Sequence, residues 1–372
     1  MTSTMFERVL SHDLPRSRML SAVLVLMVLG LALSPFIFPG AKALNVAAKI
    51  VVFIVLVASY DLLLGYTGIV SFAHTMFFGI GAYGVAIAST RLGEGWGAIA
   101  IGVAVALLFT LLLSLVIGLF SLRVKAIFFA MITLAVASAF LSLASQLSDF
   151  TGGEDGLSFK VPEWLRPGFS LREEPWLGVS LDGRLITYYL LFVLAVALVL
   201  FMLRIVNSPF GRVLQAIREN DFRAEAIGFR TVYYRTASNV ISALFACVAG
   251  CMLALWLRYN GPDTSLSLEI MLDILLIVVI GGMGTIYGAI VGSVLFVLAQ
   301  SYLQDVMKLG AGWVEGVPIL SSLVSPDRWL LWMGVLFVLS VYYFPSGIVG
   351  RLRDMASHAA RAEGGARQRS RS

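Results

Sequence analysis

About ten times between Met19 and Phe344 the chain enters an apolar run long enough to cross a bilayer. A helical span needs about 20 such residues. The runs lie near 19–39, 44–64, 69–90, 97–120, 126–148, 186–204, 236–257, 266–282, 285–304 and 328–344. Inside lipid a backbone must satisfy its own hydrogen bonds, so only helices and closed barrels can span. Barrel strands alternate apolar and polar residues over short segments, whereas these runs are unbroken. They predict an all-α polytopic membrane protein of about ten transmembrane helices. Composition agrees: 59% of residues are apolar and 13% charged, against roughly 45–50% and 25% in soluble domains. Two Cys and three His supply neither a disulfide framework nor a Cys/His metal cluster. The first run superficially resembles a signal peptide, with Ala41-Lys42-Ala43 after it. Its apolar stretch exceeds the usual 7–15-residue signal core and reads as a retained helix.

Lys and Arg are retained on the cytoplasmic side during insertion, and the basic segments alternate as ten spans require. With both termini inside, the cytoplasmic segments hold Arg8, Arg16, Arg18, Arg123, Lys125, Arg204, Arg212, Arg218, Arg223, Arg230, Arg235 and six Arg from Arg351 onward, which makes 17 basic residues against seven acidic. Ten basic and 13 acidic residues are assigned to the remaining segments, leaving Asp61 and Asp273 inside spans. The excess positive charge is thus mostly an orientation signal, and no nucleic-acid partner is needed to explain it. The expected organisation is a cytoplasmic segment 1–18, a permease domain 19–350 with an external loop 149–185 and a cytoplasmic loop 205–235, and a disordered basic tail 351–372. The external loop, from Asp149 through Gly152, Gly153, Gly156, Trp164, Pro175 and Trp176, reads either as an ordered cap near the bilayer surface or as a solvated connector with interfacial Trp anchors.

The cytoplasmic loop starts a helix at Ser208-Pro209, a capping Ser followed by Pro at the first helical position. Phe210, Val213, Leu214 and Ile217 recur at helical spacing, with Arg212, Gln215, Arg218 and Glu219 on the other face. A second short helix runs through Ala224, Glu225 and Ala226 until Gly228, which suits a left-handed stop. Such a helix can lie on anionic headgroups. It can equally project as a rigid knob that receives force from a soluble partner.

The string from Ser208 to Asn220 with Ala224–Gly228 resembles the cytoplasmic signature of LivM-type permeases of branched-chain amino acid ABC importers. Four further strings resemble that family in order: Gly65–His74 with Phe77–Tyr83, Thr151–Leu157, Gly281–Gly288 and Phe344–Gly350. Ala73 and Arg235 stand where the family commonly has Gly and Lys. The resemblance implies an ABC importer permease fold in the bacterial inner membrane. It also implies partnership with a homologous LivH-type permease, two cytoplasmic ABC ATPases that bind ATP and Mg²⁺, and an external or periplasmic solute-binding protein. The loop becomes a coupling helix, with Gly211, Arg212, Ala216, Arg218, Glu219 and Gly228 as docking candidates and Phe210, Val213, Leu214 and Ile217 supplying apolar contact.

Glycines concentrate at 65–84 and 281–292. Gly284, Gly288 and Gly292 repeat every four residues, as on one packing face of a helix. Gly65, Gly68, Ser71 and His74 form either a broken helix whose backbone lines a substrate path or a tight turn followed by packing. Asp61 is close enough to a span end to snorkel. Asp273 lies deeper and either meets a substrate ammonium or pairs structurally. His74 lacks the Gly-x-Ser-x-Gly setting and supporting carboxylate of a hydrolase, and Cys247 with Cys251 reads as packing, so no catalytic or metal residue is expected. There is no Gly-x-x-x-x-Gly-Lys-[Ser/Thr] string, so energy must come from partners or from ions. Two intramembrane acids are few for an ion-coupled secondary transporter, and a membrane-embedded enzyme lacks its constellation. Branched-chain amino acids are the family's default substrate, with urea, amides and aromatic acids as alternatives.

Overall fold

The computed structural model describes residues 18–38, 40–121, 126–170, 181–313 and 325–352. The expected segment before Arg18, the positions of Arg123, Lys125, Pro175 and Trp176, and the tail beyond 352 lie outside the described residues. The long helices are α1 (Arg18–Ile37), α2 (Ala41–Thr67), α3 (His74–Leu92), α4 (Trp96–Ser121) and α5 (Ala126–Gln146). After the short α6 (Ser148–Thr151) come α7 (Gly183–Val206), α8 (Pro209–Glu219), α9 (Asp221–Ala226) and α10 (Thr231–Leu257). The one-turn α11 (Pro262–Ser265), α12 (Leu268–Gly281), α13 (Ile286–Trp313) and α14 (Trp329–Tyr343) complete the order.

Nine helical segments among the described residues are long and apolar enough to cross a membrane. The tenth expected span is α3. It has 19 residues but is less apolar, because His74, Gly79, Gly81 and Gly84 replace aliphatic side chains. In the folded bundle lipid does not touch most of it, since α3 is enclosed by α4, α10 and neighbouring elements. Small residues make this possible. A methyl group added to Gly81 would collide with the Cys247 carbonyl, and one on Gly250 with the Phe78 carbonyl. Toward α4, a Cβ on Gly84 would lie 2.6 Å from the Cβ of Ala106. Cys251 donates its thiol to the Gly81 carbonyl at 3.3 Å. The core therefore runs along α2, α3 and α10, while α1, α4, α5 and α14 turn large apolar side chains outward. The span expected at 266–282 holds α12 whole: the one-turn α11 ends just before it, and Ser267 caps α12 by accepting from the Ile270 amide at 3.4 Å.

The helices alternate in direction, so their links gather at two ends. At one end the described part of the 149–185 loop packs down as a cap. Gly152, Gly153 and Gly156 all have positive φ. They turn the chain into β1 (Leu157–Ser158), which pairs antiparallel with β2 (Tyr259–Asn260). Phe159, Val161 and Leu165 are buried against Ala82, Ile99 and Leu255, and Glu94 binds both Lys160, at 3.2 Å, and Arg166.

Candidate functional site: a glycine junction beneath the amphipathic helix

The opposite end is built around α8. Ser208 caps it by accepting from the Gly211 amide, Pro209 occupies its first turn, and Asn220 closes it while capping α9 through the Arg223 amide at 2.9 Å. Gly228, at φ 99°, ends the two-helix unit. The amphipathic pattern decides which way α8 faces. Leu214 and Ile217 are buried in the bundle, Phe210 stacks on Tyr234 at 5.9 Å, and Val213 is half-buried. Their apolar contact is internal, which corrects the expectation that these four side chains meet a partner. Gly211 also serves packing: a Cβ there would strike the Val206 carbonyl. The free surface instead carries Arg212, Gln215, Ala216, Glu219, Arg223 and Gly228 together with two exposed apolar side chains, Phe222 and Ile227. Sequence periodicity missed that pair because each follows a helix break and belongs to no apolar stripe.

Arg218 crosses from this surface into the bundle. Its Nη1 donates to the carbonyl oxygen of Gly65 in the last turn of α2. Immediately beside it runs the link between α12 and α13, where Gly282 has φ 113° and Gly284 φ 82°. The Gly284 amide donates to Asp61 Oδ1 at 2.8 Å. The three side-by-side segments leave no room for a methyl group. A Cβ on Gly65 would overlap the Asp61 carboxylate and the Gly284 amide, and one on Gly284 would lie 2.7 Å from Arg218 Nη1. Gly347, at φ 73°, presses on Gly282 from the chain's last described segment. Four strings far apart in sequence thus meet at one point. Gly65, Tyr66, Gln215, Arg218, Glu219 and Gly284 line a cavity of about 400 Å³ there.

Several expectations are revised. Asp61 does not snorkel; it is buried, held by the Gly284 amide. Gly284 is not on the face of α13, which begins at Ile286; its left-handed conformation places it in the link. Gly288 and Gly292 do lie on α13 where it crosses α12, since a Cβ on Gly288 would come within 2.7 Å of the Gly282 carbonyl and one on Gly292 within 3.2 Å of the Gly281 Cα. The 65–74 stretch is a break in the helical run: Gly68, at φ 73°, caps α2 and α3 starts at His74. Ser71 and His74 are buried beyond it. The Ser71 hydroxyl accepts from the Ala73 amide at 3.3 Å, and His74 Nε2 lies 2.8 Å from the Ser59 hydroxyl, with Tyr60 edge-on. Both side chains therefore pack inside the bundle, hydrogen-bonded to its own groups. Ala73, at φ −83°, is in a conformation any residue adopts, so its methyl group costs nothing at the bend.

Asp273 is elsewhere. It sits eight residues before Gly281, roughly 12 Å along α12 at 1.5 Å per residue, and accepts from Gln300 Nε2 at 3.3 Å. Gln300 Oε1 in turn accepts from Lys49 Nζ at 2.8 Å. Lys49 lies inside α2, within the run expected at 44–64, although the charge count leaves it among the ten basic residues of the remaining segments. The signal was a lone Lys seven residues after Lys42, on nearly the same helix face.

The chain matches the family described as branched-chain amino acid transport system, permease component, over residues 42–341. It is 27% identical over 299 residues to the high-affinity branched-chain amino acid transport system permease protein LivM of Salmonella typhimurium, covering 77% of this chain and 69% of that one. To the LivM protein of Escherichia coli K12 it is 26% identical over 319 residues, 82% of this chain and 73% of that one. The autoinducer 2 import system permease protein LsrC of Yersinia pseudotuberculosis is 28% identical over 243 residues, 61% and 63% respectively. No solved structure matches. The chain, a multi-pass helical membrane protein with four of its five sequence signatures meeting at one end, belongs to the branched-chain amino acid permease family.

Proposed function

We propose that the chain is the translocation subunit of an ATP-driven importer for branched-chain or related amino acids in the bacterial inner membrane. It works beside a homologous LivH-type permease, receives its solute from an external binding protein and has no enzymatic activity of its own. Two cytoplasmic ABC ATPases bind ATP and its Mg²⁺ and supply the energy. In this reading the α8 end is cytoplasmic, as the gathering of Arg212, Arg218, Arg223, Arg230 and Arg235 there supports. The surface carrying Arg212, Ala216, Glu219, Phe222, Arg223, Ile227 and Gly228 docks the ATPase.

One observation carries the proposal: Arg218 bonds the amphipathic helix to the Gly65 carbonyl in the last turn of α2, with the Gly284 backbone of the α12–α13 link packed beside that bond. Leu214 and Ile217 seat α8 on the bundle, and the short two-helix unit is capped at each junction. A push on Phe222 or Ile227 therefore moves α8 as a body, and Arg218 delivers the displacement to Gly65 and Gly284. Gly65 and Gly284 have no side chains of their own to repack at this contact, so α2 and α12 can shift together. The substrate alternatives of urea, amide or aromatic acid leave this transmission unchanged. An ion-coupled carrier would have no use for it.

The test is uptake into proteoliposomes containing the complex purified with its native partners. Co-purification of ATPase subunits, and uptake abolished by vanadate but indifferent to an ion-gradient uncoupler, is the expected result. Uptake that follows the ion gradient and ignores vanadate overturns the proposal.

A further inference from the structure

Charged side chains inside a membrane bundle are costly, and the simplest relief is a direct ion pair. Lys49 on α2 and Asp273 on α12 do not take it. None of the ion pairs within 4.0 Å among the described residues joins them. The Gln300 amide stands between them instead, its oxygen toward the Lys49 ammonium and its nitrogen toward the Asp273 carboxylate. All three side chains are only half-buried, although Val46, Ala47, Ala48 and Ile50, immediately around Lys49 on α2, are buried. The arrangement is open on one side. Further polar groups continue from it toward the cap end of the bundle: Lys42, about 10 Å away along α2 by helical rise, pairs with Asp305 of α13, and Glu269 lies one turn before Asp273.

A free α-amino acid presents a carboxylate and an ammonium on one carbon. Offered to this cell, the carboxylate accepts from Lys49 while the ammonium donates to Asp273, and the Gln300 amide, whose polarity follows the same order, is displaced. The bridging amide is thus the chain's own stand-in for a zwitterionic head group. A direct Lys–Asp pair would have to be broken before a substrate could bind, at the full cost of separating two charges in low dielectric. Displacing a neutral amide exchanges hydrogen bonds of similar kind. An uncharged solute such as urea or a simple amide would only repeat the hydrogen bonds that the Gln300 amide already makes, whereas the zwitterion replaces them with charge-assisted ones.

We propose that Lys49, Gln300 and Asp273 form a transient binding point for the zwitterionic head group of a free α-amino acid crossing the membrane. This rests on the importer reading above and narrows its substrate class. The complete importer in proteoliposomes, with binding protein and ATPases, is assayed for ATP-dependent uptake of leucine and for hydrolysis stimulated by loaded binding protein. The double variant Lys49→Gln/Asp273→Asn leaves no unpaired charge and keeps hydrogen-bonding groups at both positions. Its uptake falls at least tenfold while stimulated hydrolysis stays within twofold of the parent. A pair that only holds helices together predicts the opposite, because neutralising both partners relieves burial. Wild-type uptake by the double variant therefore overturns the proposal. Independently, Gln300→Cys, which keeps both charges, is labelled with a thiol-reactive ammonium reagent during turnover. Leucine slows labelling at least threefold, and labelling indifferent to leucine also overturns the proposal, including where the double variant fails to assemble. Absence of ATP-dependent leucine uptake by the parent complex refutes the importer reading instead.

Discussion

Gly284→Ala probes the junction with the fewest added atoms. At φ 82° the new Cβ sits in the left-handed region, which costs an L-residue about 1–2 kcal/mol. It would also lie 2.7 Å from Arg218 Nη1 and 3.0 Å from the Gly65 carbonyl oxygen, so the guanidinium must shift and its bond to Gly65 is strained or opened. A bond to a charged donor contributes about 1.5–3 kcal/mol. With the bond fully lost, the two effects together disfavour the joined state by about 2.5–5 kcal/mol, roughly two to three and a half orders of magnitude at 1.4 kcal/mol per decade. Leu214 and Ile217 remain seated in the bundle, so α8 stays on the protein. The expected phenotype is uncoupling: the complex assembles and hydrolyses ATP, while amino acid transported per ATP falls at least tenfold. Gly334→Ala is the control, because its Cβ would meet nothing within 4 Å and Ala favours a helix interior by about 1 kcal/mol over Gly. Uptake per ATP measured on both variants decides the matter. Normal coupling in Gly284→Ala would refute the assignment of the junction as the transmission point.

Charge placed on the exposed surface should act on assembly: Phe222→Asp with Ile227→Asp, both at open positions, should leave detergent stability unchanged and abolish co-purification of the ATPase subunits. Leu214→Ala removes a buried side chain beneath α8 and should cost about 2–4 kcal/mol, read as a lowered thermal midpoint in detergent. Phe159→Ala in the cap should cost about 3 kcal/mol by the same mechanism. Glu94→Gln, which disrupts two part-exposed ion pairs, should cost no more than about 1 kcal/mol; a larger midpoint shift for Glu94→Gln than for Phe159→Ala would show that ions hold the cap.

Fold class was legible because lipid imposes a pattern that needs no tertiary context: a helix facing hydrocarbon must be apolar along its length. The same rule makes α3 the weakest run, since a helix surrounded by protein can give up aliphatic side chains for Gly and His. The caps of α8 and α9 were legible too, from Ser208, Pro209 and Asn220, whose roles are local. The orientation of α8 was not. Its apolar stripe says that one face is covered, and periodicity is silent on whether the bundle or a partner covers it. The meeting of Gly65 with Gly284 was likewise hidden, because a glycine turn looks the same in sequence whether it is empty or occupied by a neighbouring backbone. Lys49 was overlooked for a simpler reason: counting charges by loop assigns each to the nearest water, and this one is satisfied by Gln300 inside the helix layer.

The enclosure of α3 has a consequence for biosynthesis. A segment carrying His74 and several glycines partitions weakly into lipid when alone, and its main cover, α10, begins at Thr231, about 140 residues later. At roughly 5–20 residues per second that is a wait of about 7 to 28 seconds, during which α3 has only its sequence neighbours for company. Substitutions along the Gly81–Cys247 and Gly250–Phe78 contacts should therefore reduce how much protein reaches the membrane, while the molecules that do complete insertion work at the normal rate.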